Sequence, residues 1–187
     1  MGLDMRLSKK TYVKNWEHMK PEEKVQVKLS GNEKKIKGIN IDKITNIEEE
    51  VMYWRKANAI HKWFVDNCGD GEDNCQEIYV SMDDLKKLLS ICETIIEKCP
   101  LVKGKVKNGE TFDAKTKKFI PIMEDGKVLT NIEVAKELLP TTSGFFFGST
   151  DYDEYYIEDL KRTVEVLKPI IENMEDDYGD YYYSASW

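Results

Sequence analysis

The sequence predicts one α+β domain in which an antiparallel sheet packs against two or three helices. Three observations predict it. Apolar and polar residues alternate over 3–13 (LDMRLSKKTYV) and 25–29 (VQVKL), and an aromatic strand reads over 180–187. Two long segments, 82–99 and 151–174, repeat apolar residues at helical spacing. Strict strand–helix alternation, the mark of a parallel doubly wound sheet, is missing. The 187 residues fit a single domain, spanning 1–187, and with 41% hydrophobic against 34% charged residues the composition is that of a folded chain. No apolar run approaches the roughly 18 residues of a membrane span, and the opening Met1-Gly2-Leu3-Asp4-Met5-Arg6 has no apolar signal core.

After the first strand, Ser30-Gly31-Asn32 marks a turn, and the isoleucines at 39, 41, 44 and 47 favour an extended segment over 36–47. Tyr53, Ala57, Ile60 and Phe64 fall on one helical stripe and predict a helix over about 52–67. The polar run 66–73 (DNCGDGED) breaks it, and 77–80 (EIYV) suits a short strand. Ser81 with Asp84 three residues on forms an N-terminal capping pair for the helix 82–99, whose stripe is Leu85, Leu88, Leu89, Cys92, Ile95 and Ile96 and which Pro100 ends. The Lys- and Gly-rich stretch 101–128 reads as a hairpin-like or partly mobile excursion. A short helix follows over 131–139. Three phenylalanines between Gly144 and Gly148 predict a short buried strand, and Ser149, Thr150 and Asp151 offer N-caps for the helix 151–174, with Pro169 a point of kinking or division.

The net charge of −7 disfavours an extended nucleic-acid surface. Charge is uneven: residues 1–37 carry ten Lys/Arg against five Asp/Glu, and residues 150–187 carry eleven Asp/Glu against three Lys/Arg. Opposite faces of this kind are ordinarily solvated, but they also permit self-association, and a homo-oligomer is expected. The cysteines at 68, 75, 92 and 99 lack the C-x2-C spacing of a zinc ribbon and read as buried or loop thiols of a reducing compartment; no metal and no cofactor is expected. Arginine is scarce, at 6, 55 and 162 only, which singles out Arg55 as a phosphate or carboxylate clamp.

Two segments could carry chemistry. Trp54, Asn58 and His61 would share one helical face, with Arg55, Lys56 and Lys62 beside it: a ring to stack a base, an amide and imidazole to read its edge, cations for phosphate. The segment 144–156 offers Phe147 and Tyr152 for stacking and the hydroxyls of Ser149 and Thr150 at a helix start for an anion. It lacks the lysine of a P-loop and is not a dinucleotide fingerprint. His61 with Asp151, Asp153 or Glu154 could form an acid–base pair, although acids in a first helical turn also answer to the helix dipole.

Four segments carry a resemblance: the opening MGLDM, the central YWRKANAIHKWFVDN (53–67), LLPTTSGFFFGSTDYDEYY (138–156) and the tail YYYSASW (181–187). With them the chain resembles a family of small proteins encoded by tailed phages and prophages. The resemblance spans nearly the whole chain, with 101–128 its variable part. It implies a phage origin and a host-cytoplasm location, and it brings no established activity with it. In that setting the expected function is counter-defence by sequestering a nucleotide immune messenger, a cyclic dinucleotide or an ADP-ribose derivative, without cleaving it. The expected ligand residues are Trp54, Arg55, Lys56, Asn58, His61, Lys62, Phe147, Ser149, Thr150 and Tyr152, and no membrane partner is expected. Two alternatives stand beside it: an inhibitor that binds a host protein through the acidic C-terminal region, and a nucleotide hydrolase using His61 with a carboxylate.

Overall fold

The computed structural model describes residues 2–28, 38–176 and 178–187. Among the described residues ten principal elements follow in order: β1 (Asp4–Tyr12), β2 (Asn46–Arg55), α1 (Asn58–Cys68), β3 (Ile78–Val80), α2 (Met82–Lys98), β4 (Leu101–Asp113), β5 (Lys118–Leu129), α3 (Ile132–Leu138), α4 (Glu154–Glu172) and β6 (Asp180–Ser186). Four strands form an antiparallel sheet in the order β2-β1-β6-β3, and β4 and β5 form a separate two-stranded ribbon. The chain is thus α+β, as its patterning predicts.

The sheet has one dry face. Leu3, Met5 and Leu7, two apart along the N-terminal segment, are fully buried, and so are Tyr181 and Tyr183 on β6. Opposite Leu7–Ser8 the register slips, with Leu7 paired to Met52 and Ser8 to Glu50, so Val51 is an extra residue in β2. Phe64 of α1 stacks on Tyr183 at 4.2 Å between ring centres and meets Trp54 edge-on. Leu85, Leu88, Cys92 and Ile95 of α2 and Leu160 and Leu167 of α4 belong to the same core.

Helix α2 begins as its sequence dictates. The Ser81 hydroxyl accepts from the Asp84 amide at 3.1 Å, and the Ser81 amide donates to the Asp84 carboxylate at 3.3 Å. The 101–128 excursion is an antiparallel hairpin whose register shifts between Lys107 and Glu110. Pro169 lies inside α4 without ending it: it is exposed, and the helix runs on to Glu172.

Several expectations are corrected. Residues 52–55 belong to strand β2, not to a helix: Met52 and Trp54 face the core while Arg55 is exposed. The switch to α1 falls at Lys56, a non-glycine residue with φ of +63°, so no Gly or Pro announces it. Residues 25–28 form no strand; Val25 instead pairs its amide and carbonyl with the Asn15 side chain. Residues 38–45 hold a single 3-10 turn, Ile41–Lys43, before β2 begins at Asn46. The Ser30–Asn32 turn lies outside the described residues. Residues 144–147 form a tight turn and not a strand: Phe145 is 78% exposed, and only Phe147 is buried. Helix α4 is capped by Asp153, because residues 152–153 are engaged by β5 (Leu129 amide to Tyr152 carbonyl, Val128 bridged to Asp153) and cannot join the helix.

Candidate functional site

The end of β2, the start of α1, the 148–153 loop and the first two turns of α4 surround a cleft of about 720 Å³, onto which the ribbon's bulge at Asn108 and Gly109 also opens. Its construction starts from two left-handed residues pressed together. Lys56 turns the chain from β2 into α1, its amide donating to the Leu3 carbonyl at 2.8 Å. Gly148 has φ of +91°, and a Cβ added there would stand 3.1 Å from the Cβ of Lys56. The two predicted segments therefore meet in space.

Asn58 holds them there. Its side-chain nitrogen donates to the carbonyls of Phe147 (3.2 Å) and Ser149 (2.7 Å), and its oxygen accepts from the Thr142 amide at 3.0 Å. The residue is 3% exposed. Its amide is consumed by the backbone and does not read a ligand edge, which corrects the expected role.

Trp54 is also corrected. It points into the core with no exposed surface, and its indole N–H donates to the Thr163 hydroxyl at 2.9 Å. A strand puts Trp54 and Arg55 on opposite faces, so the pattern that would make a helical cradle instead buries the ring and exposes the cation. His61 is 2% exposed, with Nδ1 2.7 Å from the Tyr183 hydroxyl and Nε2 3.1 Å from Asp73. It neither lines the cleft nor meets Asp151, Asp153 or Glu154, so the pairing expected with those acids is not formed; its carboxylate neighbour is Asp73. Phe147 is buried edge-on against His61 and Trp187. Lys62 pairs with Asp66 one turn along α1 and does not line the cleft. Thr150 and Tyr152 line a neighbouring hollow of about 560 Å³ under the ribbon.

Arg55, Lys56 and Ser149 do line the cleft, joined there by Tyr155, which lies in the 144–156 segment but is not among the expected ligand residues, and by Arg162, which no sequence motif marks. The one signal that could have found Arg162 is the rarity of arginine: two of the three arginines face this cleft. Among the described residues, Arg55, Lys56 and Arg162 form no ion pair; Arg162 donates to the Tyr53 carbonyl at 3.4 Å. The Tyr155 ring is 67% exposed.

Asp151, Asp153, Glu158 and Asp159 form the acidic part of the lining, Glu158 and Asp159 on the same helix as Arg162. Asp153 accepts from the amides of Tyr155 and Tyr156, so the α4 N-terminus is already capped by a carboxylate and is not a free anion site. Burial raises the Asp153 carboxyl, against the lowering effect of those two amides. Burial pushes Asp159 up to about 6, with Arg162 opposing the shift. Its carboxylate faces the cleft without a hydrogen bond from any described residue, free to meet a ligand donor.

Elsewhere, burial pushes the thiols of Cys68 and Cys92 up to about 12, which keeps them protonated and unreactive. All four cysteines are free, and among the described residues no group of three or more His, Cys, Asp or Glu could hold a metal ion. No helix among those residues is long and apolar enough to cross a membrane. No protein-family model matches the chain, and no curated protein or solved structure matches it.

Proposed function

We propose that the cleft binds a small nucleotide-type anion and holds it without cleaving it. The observation that carries this reading is the grouping of Arg55, Lys56 and Arg162, none in an ion pair among the described residues, around one concavity that also offers the Ser149 hydroxyl and the exposed Tyr155 ring. Planar guanidinium groups suit phosphate oxygens, and an accessible tyrosine suits a base. The acidic part of the lining favours a ligand with few phosphates and several N–H donors, such as a cyclic dinucleotide or an ADP-ribose derivative, over a triphosphate chain. Holding without cleavage is supported by His61, which is buried with both ring nitrogens engaged.

The biological role proposed with it is that of a phage-encoded counter-defence protein acting in the host cytoplasm, a sponge for a nucleotide immune messenger. The resemblance of the 53–67 and 138–156 segments to phage proteins supports that setting.

The test is incubation of the purified protein with a panel of cyclic dinucleotides and cyclic ADP-ribose isomers, with free ligand quantified before and after the protein is heat-unfolded. Depletion followed by intact release is the expected result. Release of an altered product would make the protein an enzyme. No depletion of any nucleotide would overturn the reading and favour the alternative of a host-protein inhibitor.

A further inference from the structure

The β4–β5 ribbon changes character along its length. In its basal half, Lys103, Lys105 and Lys107 alternate with Gly104 and the half-buried Val106, the pattern of a strand with one wet and one covered face. Beyond the shift between Lys107 and Glu110, residues 119–123 read Phe-Ile-Pro-Ile-Met. Successive side chains point to opposite faces, so Phe119, Pro121 and Met123 share a face with Phe112, the cross-strand partner of Phe119, while Ile120 and Ile122 lie on the other. Phe112 and Phe119 meet edge-on at 5.4 Å.

A strand that is apolar on both faces has the composition of one covered on both sides. Here Phe112 is 56%, Phe119 67%, Ile120 43%, Ile122 42% and Met123 49% exposed. A two-stranded hairpin with nothing packed on it is marginally stable at best. The distal half is therefore built to be covered.

Charge identifies what covers it. The distal half, residues 108–123, carries three lysines at or beside its turn (Lys115, Lys117, Lys118) against two carboxylates (Glu110, Asp113), a net of +1, so with −7 for the whole chain the remainder carries −8. An arm of this sign is drawn to the body of another copy and repelled by that copy's own arm. Reciprocal exchange about a two-fold axis satisfies both copies at once and closes the assembly at two.

We infer that the distal half of the β4–β5 ribbon is an arm that clasps the acidic body of a second copy of the chain, making an arm-exchanged homodimer. The arm holds a partner independently of any nucleotide, so this dimer and the cleft's ligand fail or stand separately.

The experiment is sedimentation velocity on the full chain at low and high ionic strength. The wild type is expected at twice the chain mass, with dimerisation weakened by salt. The double variant Phe119→Ser/Ile122→Ser removes apolar surface without changing charge, and is expected to weaken dimerisation at least about tenfold while its far-ultraviolet circular dichroism is unchanged. If that variant fails to fold, Lys115→Glu/Lys117→Glu/Lys118→Glu in the exposed turn makes the same test through charge. Carbodiimide cross-linking of mixed 14N and 15N copies should join arm lysines of one isotope to body carboxylates of the other. A wild type that sediments at the chain mass at low ionic strength overturns the inference. So does a folded arm variant that dimerises like the wild type, or arm cross-links found only within single copies.

Discussion

The side-chain amide of Asn58 donates to the main-chain carbonyl of Ser149 across 91 positions of sequence, at 2.7 Å. With its bonds to Phe147 and Thr142, it fixes the loop that carries Ser149 against the first turn of α1. Replacing Asn58 by Ala leaves two carbonyls and one amide without this partner inside a buried setting. The expected cost is about 3 kcal/mol of stability, read as a lowered midpoint in chemical denaturation. Nucleotide binding should fall with it, because Ser149 and Lys56 lose their common support.

Arg55 and Arg162 carry charge without carrying the fold. Both are exposed; Arg162 contributes a long contact to the Tyr53 carbonyl and a favourable charge near Asp159. Arg55→Ala and Arg162→Ala should each lower affinity for a nucleotide ligand about ten- to a hundredfold in calorimetric titration, with the thermal midpoint nearly unmoved. Unchanged affinity in either variant removes that arginine from the site.

Asp159 gives the cleft a pH dependence with a definite sign. Its carboxyl titrates at about 6 in the fold, above the usual carboxylate range. The folded chain therefore binds more protons than the unfolded one between that range and 6. Above pH 6 the buried charge lowers stability by its full amount, and stability recovers as pH falls below 6. Asp159→Asn should raise stability at neutral pH by on the order of 1–3 kcal/mol and flatten this part of the pH profile in denaturation series. An anionic ligand should bind the wild type more tightly at pH 5 than at pH 7 if Asp159 faces it, and Asp159→Asn should remove that difference.

Trp54 separates packing from binding. Trp54→Phe keeps an aromatic ring in the core but loses the bond to Thr163, whose hydroxyl still donates to the Asp159 carbonyl at 2.7 Å. The expected loss is about 1–2 kcal/mol, with nucleotide affinity unchanged. A large loss of affinity without a change in stability would return the indole to the site.

What the sequence disclosed follows the locality of each signal. Helix α2 is legible because its cap, its stripe and its terminating proline all lie within twenty residues. The strand carrying Trp54 is not. Tyr53, Ala57, Ile60 and Phe64 fit a helical period by coincidence, and the chain reverses at a lysine whose left-handed backbone is held by the distant Leu3 carbonyl. The same kind of override delays α4: Asp151 is as good a cap as Asp153, but β5 holds residues 152–153 in extended form. Arg55, Lys56 and Ser149 are legible as cleft residues because exposed polar groups flank a turn wherever it falls. Arg162 and Asp159 are not, since on sequence alone they belong to an ordinary helix, and Tyr155 is legible only as part of the 144–156 segment.

The placement of β1 bears on how the molecule comes into being. It lies between β2 and β6, and Asp4 pairs with Ser186 while Leu7 pairs with Tyr183. In synthesis from the N-terminus, β1 and β2 leave the exit tunnel before β6, so the edge of β1 that β6 occupies has no partner strand until the end of the chain is made. Pairing across so much intervening sequence is slow, because the loop must close before any contact rewards it. During that interval the β1 edge is open to other nascent chains on the same message, and the paired lysines Lys9 and Lys10 lie along it. Charge on an open edge discourages adventitious strand pairing, and in the finished sheet Lys10 is paired with Glu77 and lies over the Tyr182 ring.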